Sequence, residues 1–336
     1  MIDEFDWAHL QHAYGPATDT PRHLVALTSS DRDVWRSALD HLDGAVLHQG
    51  FPESATAPAA RVVAWLIATD AVGAEVGEEL IDFLGAVADA TAHVRDQAFF
   101  APLLPALEAS IVEAHPVVAA LLDSPAPRLR LRAAEAAVEQ VRLPRLAAER
   151  PLLAARLRQW ATHQASQRLQ CVRLLGELGE QVDDFLADAD AAVRIRAALA
   201  PASHEASRAT DIIVAALGEP PPAGVHLSEL VEAAIARVES FERIAKPAIA
   251  IARRADWTGF DDGWGPLLRF AFVGSYRPEV PLSCAQRRFL RELVRNDRLW
   301  DPRNGSVALA FHEVGLPHDR SRCASIVSGQ GPMRPS

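Results

Sequence analysis

The stretch Asp188-Ala-Asp-Ala-Ala-Val-Arg-Ile-Arg-Ala-Ala-Leu199 decides the fold that the sequence predicts. It places a short acidic turn before a helix on which Val193, Ala197 and Ala198 share one face, with a Val-Arg pair in the first turn. Aspartate is a preferred residue directly before a helix because its side chain accepts a hydrogen bond from the first turn. A helix with one apolar face must pack that face against a neighbour. The stretch therefore predicts one member of a packed helical pair.

Three upstream segments, residues 31–39, 92–98 and 127–134, repeat this pattern. Val94 and Arg130 are 36 positions apart, which is within the period of about 34–47 residues that is typical of helical repeats. Recurrence of one helix–turn–helix unit is the signature of a solenoid, in which each unit buries its apolar face against the next. The sequence therefore predicts an all-α protein, a right-handed α-solenoid of helical hairpins.

The composition agrees with an all-helical chain. Hydrophobic residues make up 49% of the sequence but aromatic residues only 6%, so that alanine and leucine fill most of the apolar positions. Alanine has the highest helix propensity, and its small side chain lets helices approach closely.

Charge is unevenly distributed along the chain, whose formal net charge is −10. Residues 1–127 hold 5 arginines against 19 acidic residues, whereas residues 128–173 hold 10 arginines against 3 acidic residues. The overall negative charge argues against general nucleic-acid binding. The arginine-rich middle has two interpretations that remain open, a surface that attracts an anionic ligand and a solvated outer helix face.

Cysteine usage and the N-terminus predict a cytoplasmic protein. The three cysteines are far apart and form no CxxC pair, which suits a reducing compartment. The first residues are acidic where a signal peptide would be basic, and no run of eighteen or more apolar residues occurs. We expect no membrane association.

A proline-rich connector at residues 219–225 is the clearest breakpoint in the sequence. We therefore predict a repeat array over residues 1–218, divergent helical repeats over residues 226–324 and a mobile tail at residues 325–336.

The Val-Arg copies that follow acidic turns resemble HEAT repeats, including the HEAT-like repeats of the phycobilisome-lyase type, over residues 21–200. The chain is also similar to actinobacterial HEAT-repeat proteins that share its residues 12–21, 48–50, 257–262, 264–267 and 300–303. This resemblance implies a helical array that serves as a scaffold, and it implies no mechanism.

Two turn-rich patches are candidate ligand-binding sites because they combine aromatic, polar and glycine residues in loops. The candidates are Tyr14, Asp19, His48 and Gln49 in the first patch, and Trp257, Asp261, Asp262 and Trp264 in the second. An aspartate pair beside two tryptophans suits a cationic or planar ligand. The alternative is that the tryptophans fill the core beneath a loop and that an aspartate caps the next helix.

No catalytic, metal or cofactor site is predicted. His9 and His12 are close in sequence, and His312, His318 and Cys323 are loosely clustered, but neither group has a metal-ligand motif beside it. The sequence contains no P-loop, no GxGxxG and no GxSxG.

Two basic stretches are candidate partner-binding surfaces, represented by Arg156, Arg158 and Trp160 and by Arg288 and Arg291. The first resembles the basic face of HEAT-fold DNA glycosylases, which gives a nucleic-acid hypothesis. The second could contact an acidic helix or a second copy of the chain.

The favoured function is a cytoplasmic scaffold that holds a protein or peptide partner on its concave face. One alternative is an enzyme or small-ligand binder with a pocket at the Tyr14 and Trp264 loops, and another is nucleic-acid binding through the arginine-rich middle.

Overall fold

The computed structural model describes residues 1–256, 259–300 and 305–329, and of Asp262 only the backbone. These residues contain sixteen α-helices and one two-stranded antiparallel hairpin, so the all-α prediction is confirmed. The chain divides into two compact units, unit 1 from Met1 to Leu178 and unit 2 from Gly179 to Ser336.

Unit 1 begins with the hairpin of β1 (Gln11–His12) and β2 (Gly15–Pro16). Eight helices follow: α1 (Thr20–Ala26), α2 (Arg32–His41), α3 (Thr56–Ala68), α4 (Ala74–Val94), α5 (Leu104–Leu121), α6 (Pro127–Gln140), α7 (Arg150–His163) and α8 (Arg168–Glu177).

The helices of unit 1 pack in sequential pairs, α1 with α2, α3 with α4, α5 with α6 and α7 with α8. The odd-numbered helices α1, α3 and α5 also contact one another in order, and the even-numbered helices α2, α4, α6 and α8 do the same. Each helix therefore buries apolar surface against its hairpin partner and against the neighbouring hairpin.

The residue types at the helix ends explain where several of these helices begin. The Asp31 carboxylate accepts a hydrogen bond from the Asp33 N–H at 2.9 Å, as the acidic-turn pattern predicts. Pro21 and Pro127 lie in the first turn of α1 and α6, where a missing N–H leaves no helical bond unmade.

Residues 92–98 do not form the separate helix that the repeated pattern predicts. Helix α4 continues without interruption to Val94, because no glycine or proline lies between residues 86 and 98. Val94 is thus the end of one helix whereas Arg130 lies in the first turns of another. Val94 and Arg130 are therefore not equivalent positions of two repeats, and the spacing of 36 residues between them is not a repeat length.

By length and composition alone, helix α5 could cross a membrane, with a mean hydropathy of 1.3 over 18 residues, although it contains Glu108 and Glu113. It packs against α3, α4 and α6 of unit 1, and it contains Pro116.

Unit 2 contains the remaining eight described helices: α9 (Ala191–Leu199), α10 (Ala206–Leu217), α11 (Leu227–Arg237), α12 (Phe241–Arg254), α13 (Gly265–Ala271), α14 (Cys284–Arg295), α15 (Gly305–Glu313) and α16 (Arg320–Ser328). Contacts again connect α9, α11, α13 and α15 in one series and α10, α12, α14 and α16 in another. Trp264, Phe289 and Phe311 are fully buried at the core of this unit.

The proline-rich segment 219–225 lies inside unit 2. Arg196 of α9, which is only 8% exposed, donates to the Gly224 carbonyl at 2.9 Å and to the Glu229 carboxylate at 2.5 Å. These bonds hold the segment against the helices on both sides of it, α9 and α11.

Candidate functional site

A cluster of histidine and aspartate side chains lies near the N-terminus of unit 1, at what we call the histidine pocket. The pocket has a volume of about 250 Å³ and is lined by His12, Tyr14, Asp19, Asp40, His41, Gly44 and Ala45. Its residues come from the β1–β2 hairpin, from the residue preceding α1, and from the end of α2 with the turn that follows it.

His12 is held in one orientation by two hydrogen bonds. Its Nε2 atom is 2.9 Å from Asp19 Oδ1, and its Nδ1 atom accepts the Tyr14 backbone N–H at 3.1 Å. Because Nδ1 is an acceptor, the proton of the neutral ring is assigned to Nε2, which donates it to Asp19. Burial raises the pKa of Asp19, but the hydrogen bond with His12 and the charge of His41 outweigh it, so that the pKa is lowered from its ordinary value.

His41 is the last residue of α2, and its ring contacts α1. Its Nε2 atom is 3.0 Å from the Thr20 hydroxyl, and its ring stacks on that of His23 with centroids 4.1 Å apart and an interplanar angle of 7°. Burial, with a smaller contribution from the neighbouring His23, lowers the pKa of His41 to about 4. His41 is therefore a neutral imidazole at physiological pH.

Irregular backbone surrounds the pocket. Residues 42–46 form a short π-helix after α2, and Gln49 has a φ of 53°, which is uncommon for a residue other than glycine. Both features occur preferentially near functional sites. They bring His48 next to the hairpin, where its Nδ1 donates to the Gly44 carbonyl at 2.8 Å and lies 3.5 Å from the Tyr14 hydroxyl.

The structure brings together three of the four residues predicted for the first patch, Tyr14, Asp19 and His48, whereas Gln49 is exposed beside them. It also brings His41 into the site, which no sequence pattern marked, and it pairs His12 with Asp19 and the Tyr14 backbone, not with His9. His9 instead forms an exposed pair with Asp6 at 2.7 Å.

The second predicted patch belongs to unit 2. Trp264 is completely buried, donates its Nε1–H to the Asp256 carbonyl at 2.9 Å and packs edge-on against Phe260. Its position is that of a core residue, and Asp261 is exposed. Trp257 and the side chain of Asp262 lie outside the described residues.

A groove crosses one face of α4, α6 and α8 in unit 1, and we call it the acidic groove. Its volume is about 530 Å³. Gly85, Ala86, Ala136 and Leu174 form a floor of mainly small residues, and the charged lining residues are Asp82, Asp89, Glu135, Glu139, Glu177, Arg142 and Arg173. The lining therefore carries five carboxyl groups and two guanidinium groups, and a third guanidinium, that of Arg132, pairs with Asp82.

Ion pairs between helices cross the groove and its rim. Arg132 contacts Asp82 and also Glu79, at 3.3 Å, and Arg128 contacts Glu78 at 2.9 Å. Arg173 on α8 contacts Glu135 on α6, and it also binds Glu177 within its own helix at 2.7 Å. Many arginines of the basic middle stretch are thus neutralised by acidic residues, and only part of its charge faces solvent.

For two carboxyl groups of the groove, those of Glu139 and Asp82, burial shifts the pKa more than the neighbouring arginine does. It raises the pKa of Glu139 to about 7 against the opposing effect of Arg142. It likewise raises the pKa of Asp82 to about 6 despite Arg132. A carboxyl group that binds a proton near neutral pH is one whose negative charge the surrounding protein does not fully compensate.

The arginines predicted to bind a partner lie in different surroundings. Arg156 is paired with Asp123 at 3.0 Å and Arg158 is half-buried. Trp160 is 7% exposed and is covered by the Arg130 guanidinium, 5.1 Å from the ring centroid, so it belongs to the core. Arg288 on α14 is exposed and Arg291 is half-buried, and neither has an ion-pair partner among the described residues.

His318 and Cys323, two members of the cluster noted near the C-terminus of the sequence, have structural contacts. His318 stacks on Trp300 with ring centroids 5.7 Å apart, and the Cys323 thiol donates to the Pro317 carbonyl at 3.1 Å. Burial raises the pKa of Cys323 to about 12, so the thiol is protonated and unreactive at physiological pH.

Comparison with known proteins does not assign these features to a family. No protein-family model matches the chain, and no curated protein is significantly similar to it in sequence. The structure itself is that of an all-helical protein whose helices pack mainly with their neighbours in sequence.

Proposed function

We propose that the protein is a cytoplasmic scaffold whose helical hairpins form a HEAT-type array, and that it binds a basic segment of a partner protein in the acidic groove. The observation that carries this proposal is the excess of carboxylates over guanidinium groups on the lining of the groove. A lysine or arginine side chain placed there would supply the missing positive charge.

The raised pKa of Glu139 supports the binding of a positively charged group in the groove. Its value of about 7 means that the surrounding protein stabilises the negative charge of this carboxylate poorly. A guanidinium or ammonium group near Glu139 would favour the ionised form and lower this pKa. Partner binding should therefore release protons between about pH 6 and 7, and should be tighter at pH 8 than at pH 6.

The shape of the groove favours an extended segment over a small molecule. The floor runs across three helices, and it has room above it because Gly85 has no side chain and that of Ala136 is a single methyl group. Asp89 and Glu177 are exposed at its walls, where a peptide side chain can reach them. A surface that is open along its length and bordered by charge is typical of the binding faces of helical repeat proteins.

A labelled lysine- and arginine-rich peptide tests the proposal by fluorescence anisotropy at low and high salt, about 0.05 and 0.5 M. We expect saturable binding at low salt that weakens as salt screens the charges. A peptide of the same length with glutamate in place of the basic residues should not bind.

The decisive variant is Asp89→Asn/Glu177→Gln, which we expect to weaken peptide binding about tenfold, equivalent to ~1.4 kcal/mol. The matched control is Glu113→Gln/Asp123→Asn, which changes the net charge equally. It also removes two acid–arginine pairs, with Arg61 and Arg156, from other parts of unit 1. Equal weakening in both double variants would mean that the peptide responds to net charge, and the groove would lose its assigned role.

A further inference from the structure

We propose that His12 Nε2, the Asp19 carboxylate and His41 Nε2 form a binding site for a divalent transition-metal ion of the Zn²⁺ type. Ligand atoms of these three residues all lie within 4.8 Å of one another. Two imidazoles and one carboxylate are a donor set that Zn²⁺ and its neighbours in the first transition series accept. This site is separate from the acidic groove, and the proposal does not depend on it.

The ligands come from three elements that already meet. His12 lies on β1, Asp19 directly precedes α1, and His41 is the last residue of α2. Ligands around a tetrahedral Zn²⁺ lie roughly 3.3–3.5 Å apart, given metal–ligand distances of about 2.0–2.2 Å. His12 and Asp19 are 2.9 Å apart and no pair of ligand atoms is separated by more than 4.8 Å, so changes of about 0.5 to 1.5 Å in these distances would complete the geometry.

Three hydrogen bonds are given up when the ion binds. The Nε2 proton of His12, now donated to Asp19, would leave that nitrogen, and metal-bound histidines hold their remaining proton on the other ring nitrogen. The Tyr14 N–H, which Nδ1 now accepts, would then turn away. Tyr14 is 72% exposed in a two-residue turn, so this rearrangement involves no packed core. Thr20 would release its bond to His41 Nε2.

The surroundings favour a cation and hold its ligands in place. Asp40 adds a second carboxylate to the lining of the pocket. Arg22, the cation nearest to Asp19 at 3.8 Å, is 74% exposed and would not block access. The parallel stacking of His23 on His41 fixes the plane of the ligating ring.

The coordination sphere would remain open. Three protein ligands leave at least one position for water or a further ligand, whereas structural zinc sites are closed by four protein ligands. That position would face a pocket of about 250 Å³. The Tyr14 hydroxyl and the Asp40 carboxylate border the same space, so a small ligand bound to the ion could also contact the protein.

The first test is a titration of tag-free protein with Co²⁺ and Zn²⁺. We expect one equivalent of Co²⁺ to give the ligand-field absorption of a four- or five-coordinate ion, and Zn²⁺ to displace it. His41→Gln and Asp19→Asn should each weaken binding at least tenfold.

The matched control is His9→Gln, which removes a neighbouring surface histidine that is also paired with an aspartate. Its affinity should equal that of the wild type. An unchanged affinity in His41→Gln, or an equal loss in His9→Gln, would overturn the proposal.

A second measurement needs no variant. X-ray absorption on Zn²⁺-loaded wild-type protein should show two imidazole ligands together with oxygen. Fewer than two imidazoles, or no stoichiometric binding at micromolar protein, would mean that the cluster is a set of structural hydrogen bonds alone.

Discussion

A Cβ atom added to Gly85 on α4 would lie 3.1 Å from the Cα atom of Ala136 on α6. The missing side chain therefore sets the distance between the two helices and forms the floor of the acidic groove. Because the nearest atom is backbone, a larger residue could be accommodated only if one helix moved.

Gly85→Val is expected to separate α4 from α6 and to lower the free energy of unfolding of unit 1 by about 1–3 kcal/mol. Urea denaturation followed by circular dichroism measures the change. Gly77→Val on the same helix is the control, because a Cβ atom there would meet nothing closer than Val72 at 4.0 Å. If both variants lost the same free energy of unfolding, the cause would be helix propensity and not the close contact between α4 and α6.

The raised pKa of Glu139 predicts an unusual dependence of stability on pH. Since the folded protein binds this proton up to about pH 7 and the unfolded chain only to about pH 4.5, the contribution of Glu139 to stability falls as the pH rises through this range. The limiting slope is about 1.4 kcal/mol per pH unit for one proton.

Glu139→Gln is permanently neutral and should become progressively more stable than the wild type from pH 4.5 to pH 8. Urea titrations at four pH values across this range measure the difference. Glu113→Gln, which removes an exposed carboxylate paired with Arg61, is the comparison and should show a smaller pH-dependent change. A difference between Glu139→Gln and wild type that stays constant with pH would contradict the assignment.

Arg196→Ala is expected to destabilise unit 2 by about 1–3 kcal/mol, because it leaves the Gly224 carbonyl and the Glu229 carboxylate without their buried donor. Arg208→Ala, which removes an exposed pair with Glu205, should cost no more than about 1 kcal/mol. Limited proteolysis gives an independent measure. Cleavage within residues 219–225 should accelerate in Arg196→Ala and not in Arg208→Ala.

Substitutions at Trp264 distinguish a core residue from a ligand contact. Trp264→Ala should cost about 3–5 kcal/mol of stability, since the side chain is fully buried. Trp264→Phe should cost about 1–2 kcal/mol, because the Asp256 carbonyl loses its hydrogen bond. Trp65→Phe, at a position that is 39% exposed, should change stability by less than about 0.5 kcal/mol. Differential scanning fluorimetry ranks the three variants.

The local rules of helix formation made much of the fold predictable. Asp31 and Asp190 cap their helices as the acidic turns predict, since a capping bond depends on residues two positions apart. The pattern at Val94 was misleading because a Val-Arg pair can lie at the end of a helix as well as near its beginning. Whether the hairpins form a HEAT-type array remains a prediction.

The sites were only partly predictable, because they depend on residues that are distant in sequence. Tyr14, Asp19 and His48 lie in loops whose composition marked them, whereas His41 looks like any other residue at the end of an amphipathic helix. The charge imbalance between residues 1–127 and 128–173 could be counted in the sequence. Only the packing of the helices shows that part of this charge is neutralised. Arg132 pairs with Asp82, and Arg142 pairs with Asp89 and Glu139.

The interhelical ion pairs described for unit 1 use arginine as their cation, and Lys246 in unit 2 is the single lysine of the chain. Amine-directed acylation and cross-linking reagents can therefore attach only at Lys246 and the terminal amine, and leave the guanidinium groups around the acidic groove unmodified. Such reagents could label or immobilise the protein at defined points, whereas arginine-directed dicarbonyl reagents would attack the groove itself.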